Sequence, residues 1–296
     1  MTSSLARAPL GATGLSVSRV GLGCGGLGEA RVSDAEAERL VHAALDMGIT
    51  FFDAARSYGP AEERLGRALG ARRAGVILST KGGYGASGCE DWTGACVARG
   101  IDEALGRLRT DCVDVFHLHS CPLEVLRRDD LHEALARARD AGKIRVAAYS
   151  GDNEPLAWAV GCATFGSVQC SVNLFDQHAL RGSLPQAASR SLGVVAKRAL
   201  GNAPWRYDQR PLAPDVGAAW DRMRAMALQA PASTEETALR FSAFAPFVSC
   251  ALVGTTRQEH LAAAVRAIGA GPLPDDVVAR ARAAFEAVGA QWPGIV

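Results

Sequence analysis

Short β-branched runs alternate with amphipathic helical stretches along nearly the whole chain, and that alternation leaves few architectures open. The runs begin near Arg19, Ile49, Val76, Val113, Ile144, Ser167, Gly193 and Phe247, eight in all. Helices between them are marked by caps and spacing. Ser33-Asp34-Ala35-Glu36 reads as a capping box, followed by Leu40, Ala44 and Leu45 at helical intervals. Ile101, Leu105 and Leu108 mark the helix before the fourth run. Leu131, Leu135 and Ala138 mark the next helix, which stops at Gly142. Ser233-Thr234-Glu235-Glu236 reads as a second capping box, opening the helix before the eighth run. Eight β-then-α units without a Pro/Gly/Ser linker predict an α/β fold, a (β/α)8 TIM barrel occupying residues 1–296 as a single domain. A doubly wound open sheet is the runner-up. Residues 9–17 are expected to form an N-terminal hairpin around Ala12-Thr13-Gly14, and residues 275–288 an extra C-terminal helix.

Composition narrows the partners. The chain has 296 residues and is 48% apolar, enough for a sizeable core. A net charge of +1 does not indicate a surface for nucleic acid or anionic membrane. No apolar stretch reaches the roughly 18 residues of a membrane span, and Met1 to Arg7 lacks a hydrophobic signal core. Eight cysteines without a C-x-x-C pair read as reduced thiols, so the expected location is cytoplasmic. Lys occurs only at 81, 143 and 197, which sets apart a lysine that ends an apolar run.

Asp53, Lys81 and His119 end three consecutive runs: 49–53, 76–81 and 113–119. Neighbouring parallel strands lie about 5 Å apart, so the three side chains are expected in one patch. Chemistry in barrels sits at this C-terminal end of the strands. Tyr58, five residues past Asp53 on the turn Arg56-Ser57-Tyr58-Gly59, is placed to hang over that patch. A phenol ordinarily titrates near 10, and an ammonium within about 4–6 Å favours its ionised form. A carboxylate would orient the lysine, and an imidazole would hold a substrate oxygen or relay a proton. The set suits proton transfer at a carbonyl.

These segments carry a resemblance. Gly48-Ile49-Thr50-Phe51-Phe52-Asp53-Ala54-Ala55-Arg56-Ser57-Tyr58-Gly59, then Ser79-Thr80-Lys81, then Asp114-Val115-Phe116-His117-Leu118-His119, resemble the signature segments of the aldo-keto reductases. The similarity runs nearly end to end. It implies a barrel that binds NADPH/NADP without a Rossmann fold and reduces an aldehyde or ketone to an alcohol by hydride transfer from the nicotinamide. It also implies that Tyr58 is the general acid, that Lys81 and Asp53 tune it, and that His119 positions the carbonyl.

Gly21-Leu22-Gly23-Cys24-Gly25-Gly26 matches the Rossmann fingerprint but does not open a helix, since the capping box starts the next helix at Ser33. These glycines, Gly23 among them, are expected to form a tight loop that brings backbone to a ligand. The stronger anion site is Gly254-Thr255-Thr256-Arg257 with His260. There a capping box of Thr256 and Glu259 would open a helix whose N–H groups hold phosphate. Arg257 adds a fork for a 2′-phosphate, favouring NADP over NAD. In similar proteins an Asn late in this helix touches adenine, and Ala264 stands there. Ser150 and Gln169 resemble the pair that holds the nicotinamide carboxamide, with Gly151 where an Asn is common. Lys197 and Arg198 stand where relatives place a stacking aromatic, and both can meet the pyrophosphate. Cys24, Trp92, Trp205 and Tyr207 are the substrate-lining candidates.

Two rival readings remain at this stage. His117-x-His119-x-Cys121 has zinc-like spacing and suggests a metal-dependent barrel hydrolase, although other histidines at strand ends are lacking. A cofactor-binding regulatory or sensor protein with slow chemistry is the other. No metal is expected in the favoured reading.

Overall fold

The computed structural model describes residues 5–228, 233–289 and 291–294; the first four residues of the leading segment and Pro231 of the long loop lie outside them. Strands β1 (Arg7–Pro9) and β2 (Ser16–Ser18) pair antiparallel as the expected hairpin. Eight parallel strands then close a barrel: β3 (Val20–Gly23), β4 (Phe51–Asp53), β5 (Ile77–Gly82), β6 (Val113–His119), β7 (Ile144–Ser150), β8 (Ser167–Ser171), β9 (Gly193–Lys197) and β10 (Cys250–Gly254). They neighbour one another in chain order, with β10 closing on β3.

The helices are α1 (Asp34–Asp46), α2 (Ala61–Leu69), α3 (Gly94–Leu108), α4 (Leu123–Leu126), α5 (Asp129–Asp140), α6 (Asn153–Ala159), α7 (His178–Arg181) and α8 (Ser183–Ser189). After β9 come α9 (Pro214–Met226), α10 (Thr234–Ala243), α11 (Gln258–Gly269) and the extra helix α12 (Asp275–Gly289). None among the described residues is long and apolar enough to cross a membrane.

The period-two rule divides each strand between two cores. Phe51, Val115, Val146, Val195 and Cys250 point inward and pack with Leu10, Leu15 and Val17 of the hairpin, which plugs the barrel floor. Gly11 makes that plug possible: a Cβ there would lie 2.3 Å from Gly193 N, and its φ is +54°. Phe52, Leu78, Phe116, Leu118 and Val168 point outward into the larger core beneath the helices. A third cluster joins Phe175, Met226, Phe241 and Phe285, seating α9 and α12 against the loop after β8.

The Ser33–Glu36 capping box forms as expected. At α10 only half of one does. Ser233 Oγ accepts from Glu236 N at 3.2 Å, but the Glu236 carboxylate is drawn to Arg240 at 2.7 Å instead of reaching back. The eighth strand opens at Cys250 rather than Phe247, because Phe247 has φ +74° and is half exposed in the turn after Pro246. The first strand likewise opens one residue later, at Val20. Arg19 is occupied below it, donating to the carbonyls of Ala243 and Val248.

Candidate active site

Register sets the site. Asp53 pairs with Ser79 across β4 and β5, Lys81 with His117 across β5 and β6, and His119 with Ser150 across β6 and β7. Ser150 in turn pairs with Gln169. Each step climbs two residues or none, so Asp53, Ser79, Lys81, His117, His119, Ser150 and Gln169 all keep the inward face. They end at the barrel mouth, above the apolar plug.

Lys81 is 2% exposed and its ammonium donates to Asp53 Oδ2 at 2.5 Å and to the carbonyl of Ala54 at 2.9 Å. The other oxygen of Asp53 accepts from Ser79 Oγ at 2.7 Å. Burial alone would push the carboxyl up; the adjacent ammonium outweighs it and holds Asp53 below its ordinary range. Burial likewise acts to lower Lys81, and the carboxylate overrides it, so the amine is held above its ordinary value. The pair stays fully charged around neutral pH.

Tyr58 leans over this pair, with Lys81 Nζ 5.2 Å from its ring centroid and the His119 ring edge-on at 6.2 Å. The loop is locked by a glycine two residues past the rejected fingerprint. A Cβ on Gly28 would come within 1.8 Å of the Tyr58 carbonyl oxygen, so only glycine allows the first barrel loop to press against the Tyr58 turn. Gly23, Gly25 and Gly26 wall the cavity there. His119 is held neutral: desolvation first, then the Lys81 cation, lowers it to about 3. Its Nδ1 lies 2.8 Å from Tyr84 Oη.

The four residues share one cavity of about 790 Å³, within the size of small-molecule sites. Ser150, Gln169, Lys197, Arg198, Gly254, Thr255, His260 and Trp205 also line it. Ser150 Oγ donates to Gln169 Oε1 at 2.9 Å, leaving the buried Gln169 Nε2 without a hydrogen-bond partner among the described residues. Gly151 explains the missing Asn, since a Cβ there would lie 2.2 Å from Tyr149 Oη. Lys197 is not a loose cation but is bound to Asp152 at 2.9 Å, and Arg198 lies 3.8 Å from Asp215.

Several expectations need correction. Thr256 and Glu259 make no capping box: α11 opens at Gln258 with Arg257 as its N-cap and no side-chain cap bond. Thr255 does the local work instead, accepting from Arg257 N at 3.1 Å and lying 3.2 Å from His260 Nδ1. Thr256 is off the cavity wall, its methyl facing Gly26, and Arg257 is exposed and likewise outside the cavity lining. Of the four substrate-lining candidates only Trp205 reaches the wall. Cys24 is fully buried with Sγ turned back to the Leu22 carbonyl, because the chain winds into a 3-10 turn after β3. Trp92 packs on Tyr84 and across Gly83, and Tyr207 is 44% exposed with its carbonyl taken by Trp220.

The zinc-like spacing does not converge. His117 Nδ1 faces Ser79 Oγ and the Thr80 carbonyl inside the barrel. Ser120, with φ +59°, breaks the alternation and turns Cys121 into the helix-side core. Among the described residues no three His, Cys, Asp or Glu side chains form a metal-holding group. Sequence reasoning missed Tyr84; its signal was an aromatic between glycines, three residues past Lys81.

The family model described as Aldo/keto reductase family matches residues 19–286. The chain belongs to that family. As an aldo/keto reductase it is 28% identical to L-galactose dehydrogenase of Arabidopsis thaliana, over 96% of both chains. It is 35% identical to 6-dehydroglucose reductase of Novosphingobium aromaticivorans over 48% of this chain, a match spanning half (50%) of that relative's length. It is also 28% identical, over 89% of this chain and 91% of the other, to a rice protein described as a probable voltage-gated potassium channel subunit beta. The holo form of aldo-keto reductase AKR11C1 from Bacillus halodurans shares the fold, with TM-score 0.82, 23% identity and coverage of 95% and 96%. Family and relatives together support an oxidoreductase of the carbonyl-reducing type.

Proposed function

We propose that this aldo/keto reductase reduces an aldehyde or ketone to an alcohol with NADPH, using Tyr58 as the general acid. One observation carries the reading: a buried, fully charged Asp53–Lys81 pair sits 5.2 Å from the centre of a phenol ring on the wall of a cavity. The ammonium has three protons and gives two to Asp53 and Ala54. Its remaining charge faces the phenol side, where it favours loss of the Tyr58 proton to an oxygen that is gaining negative charge. His119, neutral and adjacent, fixes that oxygen.

The residues fit a nicotinamide dinucleotide. The unpartnered Gln169 Nε2 is a buried donor suited to a carboxamide oxygen, with Ser150 orienting it. The N-terminus of α11, beside Thr255 and His260, suits a phosphate. Arg257, without an ion-pair partner among the described residues, suits a 2′-phosphate and supports NADPH over NADH. When bound, the cofactor supplies hydride to the carbonyl carbon.

The test mixes purified protein with NADPH or NADH and a panel of aldehydes and ketones, following nicotinamide absorbance. NADPH consumption is expected, and Tyr58→Phe should lower it by about 10²–10⁴-fold while NADPH still binds. Undiminished turnover in Tyr58→Phe would remove Tyr58 as the acid. No consumption with any carbonyl would turn the reading toward the sensor alternative.

A further inference from the structure

We infer that Tyr84 is a positioning residue: its hydroxyl donates to His119 Nδ1 and thereby keeps the proton of the neutral imidazole on Nε2, the nitrogen left for the carbonyl oxygen. The inference rests on the reductase reading for its consequence, but not for its geometry. Tyr84 Oη and His119 Nδ1 are 2.8 Å apart, and the two rings stack at 5.8 Å with an interplanar angle of 25°. A neutral imidazole has one donor and one acceptor nitrogen, and the partner of one nitrogen decides the role of the other.

With the phenol as donor, Nε2–H can meet a carbonyl oxygen as a hydrogen bond. With the roles reversed, two lone pairs would face each other and His119 would repel the substrate. Tyr84 is itself held in place. Trp92 packs on it at 5.3 Å, donates its backbone N–H to the Gly83 carbonyl at 2.7 Å, and crosses Gly83 so closely that a Cβ there would lie 2.4 Å from the indole. The loop after β5 thus holds the imidazole through its Nδ1 and one stacked ring.

Histidine-selective ¹⁵N labelling of the cofactor-free protein reads the tautomer directly, with His119→Asn assigning the signal. The wild type is expected to show His119 with its proton on Nε2. Tyr84→Phe, which keeps the stacked ring, is expected to give a mixed or Nδ1-protonated ring. With a carbonyl substrate, kcat/KM should also fall about tenfold in Tyr84→Phe while NADPH affinity holds. A wild-type ring protonated on Nδ1 overturns the inference whether or not the variant folds, and so does an unchanged Nε2–H ring in Tyr84→Phe. Because the spectrum needs no turnover, a protein inactive on every carbonyl would defeat the reductase reading and leave the tautomer result standing.

Discussion

Lys81 Nζ lies 2.5 Å from Asp53 Oδ2, and neither side chain is more than 4% exposed. Two opposite charges sealed at a barrel mouth are tolerable only together, because each desolvated group relies on the other and on the hydrogen bonds from Ser79 and to Ala54. The same isolation makes the charge useful, since little water screens it from Tyr58.

Removing one partner should therefore harm the fold more than removing both. Lys81→Met strands a buried carboxylate and is expected to lower unfolding free energy by about 3–5 kcal/mol. Asp53→Asn strands the ammonium with a similar effect. The double variant should lose less than the sum of the two. Urea unfolding of all three gives the cycle, and strict additivity would mean that the charges are not coupled.

Two desolvated histidines, His117 buried and His119 half-buried, set an acid limit. Burial first, then nearby Lys81, lowers His119 to about 3, and burial lowers His117 to about 4, both from 6.5. Between those values and 6.5 the unfolded chain binds more protons than the fold, so stability rises with pH across this window and is lost as pH falls below 6.5. Each histidine contributes at most about 1.4 kcal/mol per pH unit. His132, raised chiefly by its hydrogen bond with Cys162, acts above 6.5, and Asp53 acts only below 3.8. Denaturant unfolding from pH 6.5 to about 5.5, above the range where Glu103 and Glu36, both lowered from 4.5, add to it, should show that slope, roughly halved in His117→Leu. A flat wild-type profile would mean both rings accept protons inside the fold.

The barrel and its four central residues were legible because they depend on strand periodicity and strand ends. Asp53, Lys81 and His119 close three successive runs, and the register brings such ends together whatever the loops do. Loop-borne residues depended on chain paths that no periodicity encodes. Cys24 leaves the wall because β3 passes into a 3-10 turn, and Trp92 because its loop doubles back over Gly83. The Thr256 cap failed by one residue, the usual uncertainty at a helix start. Tyr84 was unreadable as a partner of His119 because the two are 35 positions apart and meet through a loop.

Gly151 is held by Tyr149. A Cβ at residue 151 would lie 2.2 Å from Oη and 2.5 Å from Cζ of a ring that is 1% exposed, packed on Phe165 and bonded to the Cys121 carbonyl. Gly151→Ala should therefore destabilise by about 1–3 kcal/mol, as overpacked cores do. It should also weaken NADPH binding, because Gly151 N donates to the Gln169 carbonyl at 3.0 Å and so holds the proposed carboxamide site. Thermal unfolding and cofactor titration check both effects. Adding Tyr149→Ala should give less than the summed losses, whereas a stable, tightly binding Gly151→Ala protein would show that the ring yields freely.

Arg257 offers the sharpest test of cofactor choice because it is exposed, caps α11 only through its backbone, and makes no ion pair among the described residues. Arg257→Ala should leave the fold intact, since no buried contact is lost. If the guanidinium forks onto a 2′-phosphate, removing a charge-assisted contact of about 1.5–3 kcal/mol weakens NADPH by roughly ten- to a hundredfold. NADH lacks that phosphate and should bind almost as before. The Thr255 turn and the helix N-terminus remain in the variant to hold whatever phosphate both cofactors share. Titrating both cofactors by protein fluorescence gives the ratio. Equal weakening of the two would assign Arg257 to the common pyrophosphate, and no weakening of either would place the 2′-phosphate elsewhere.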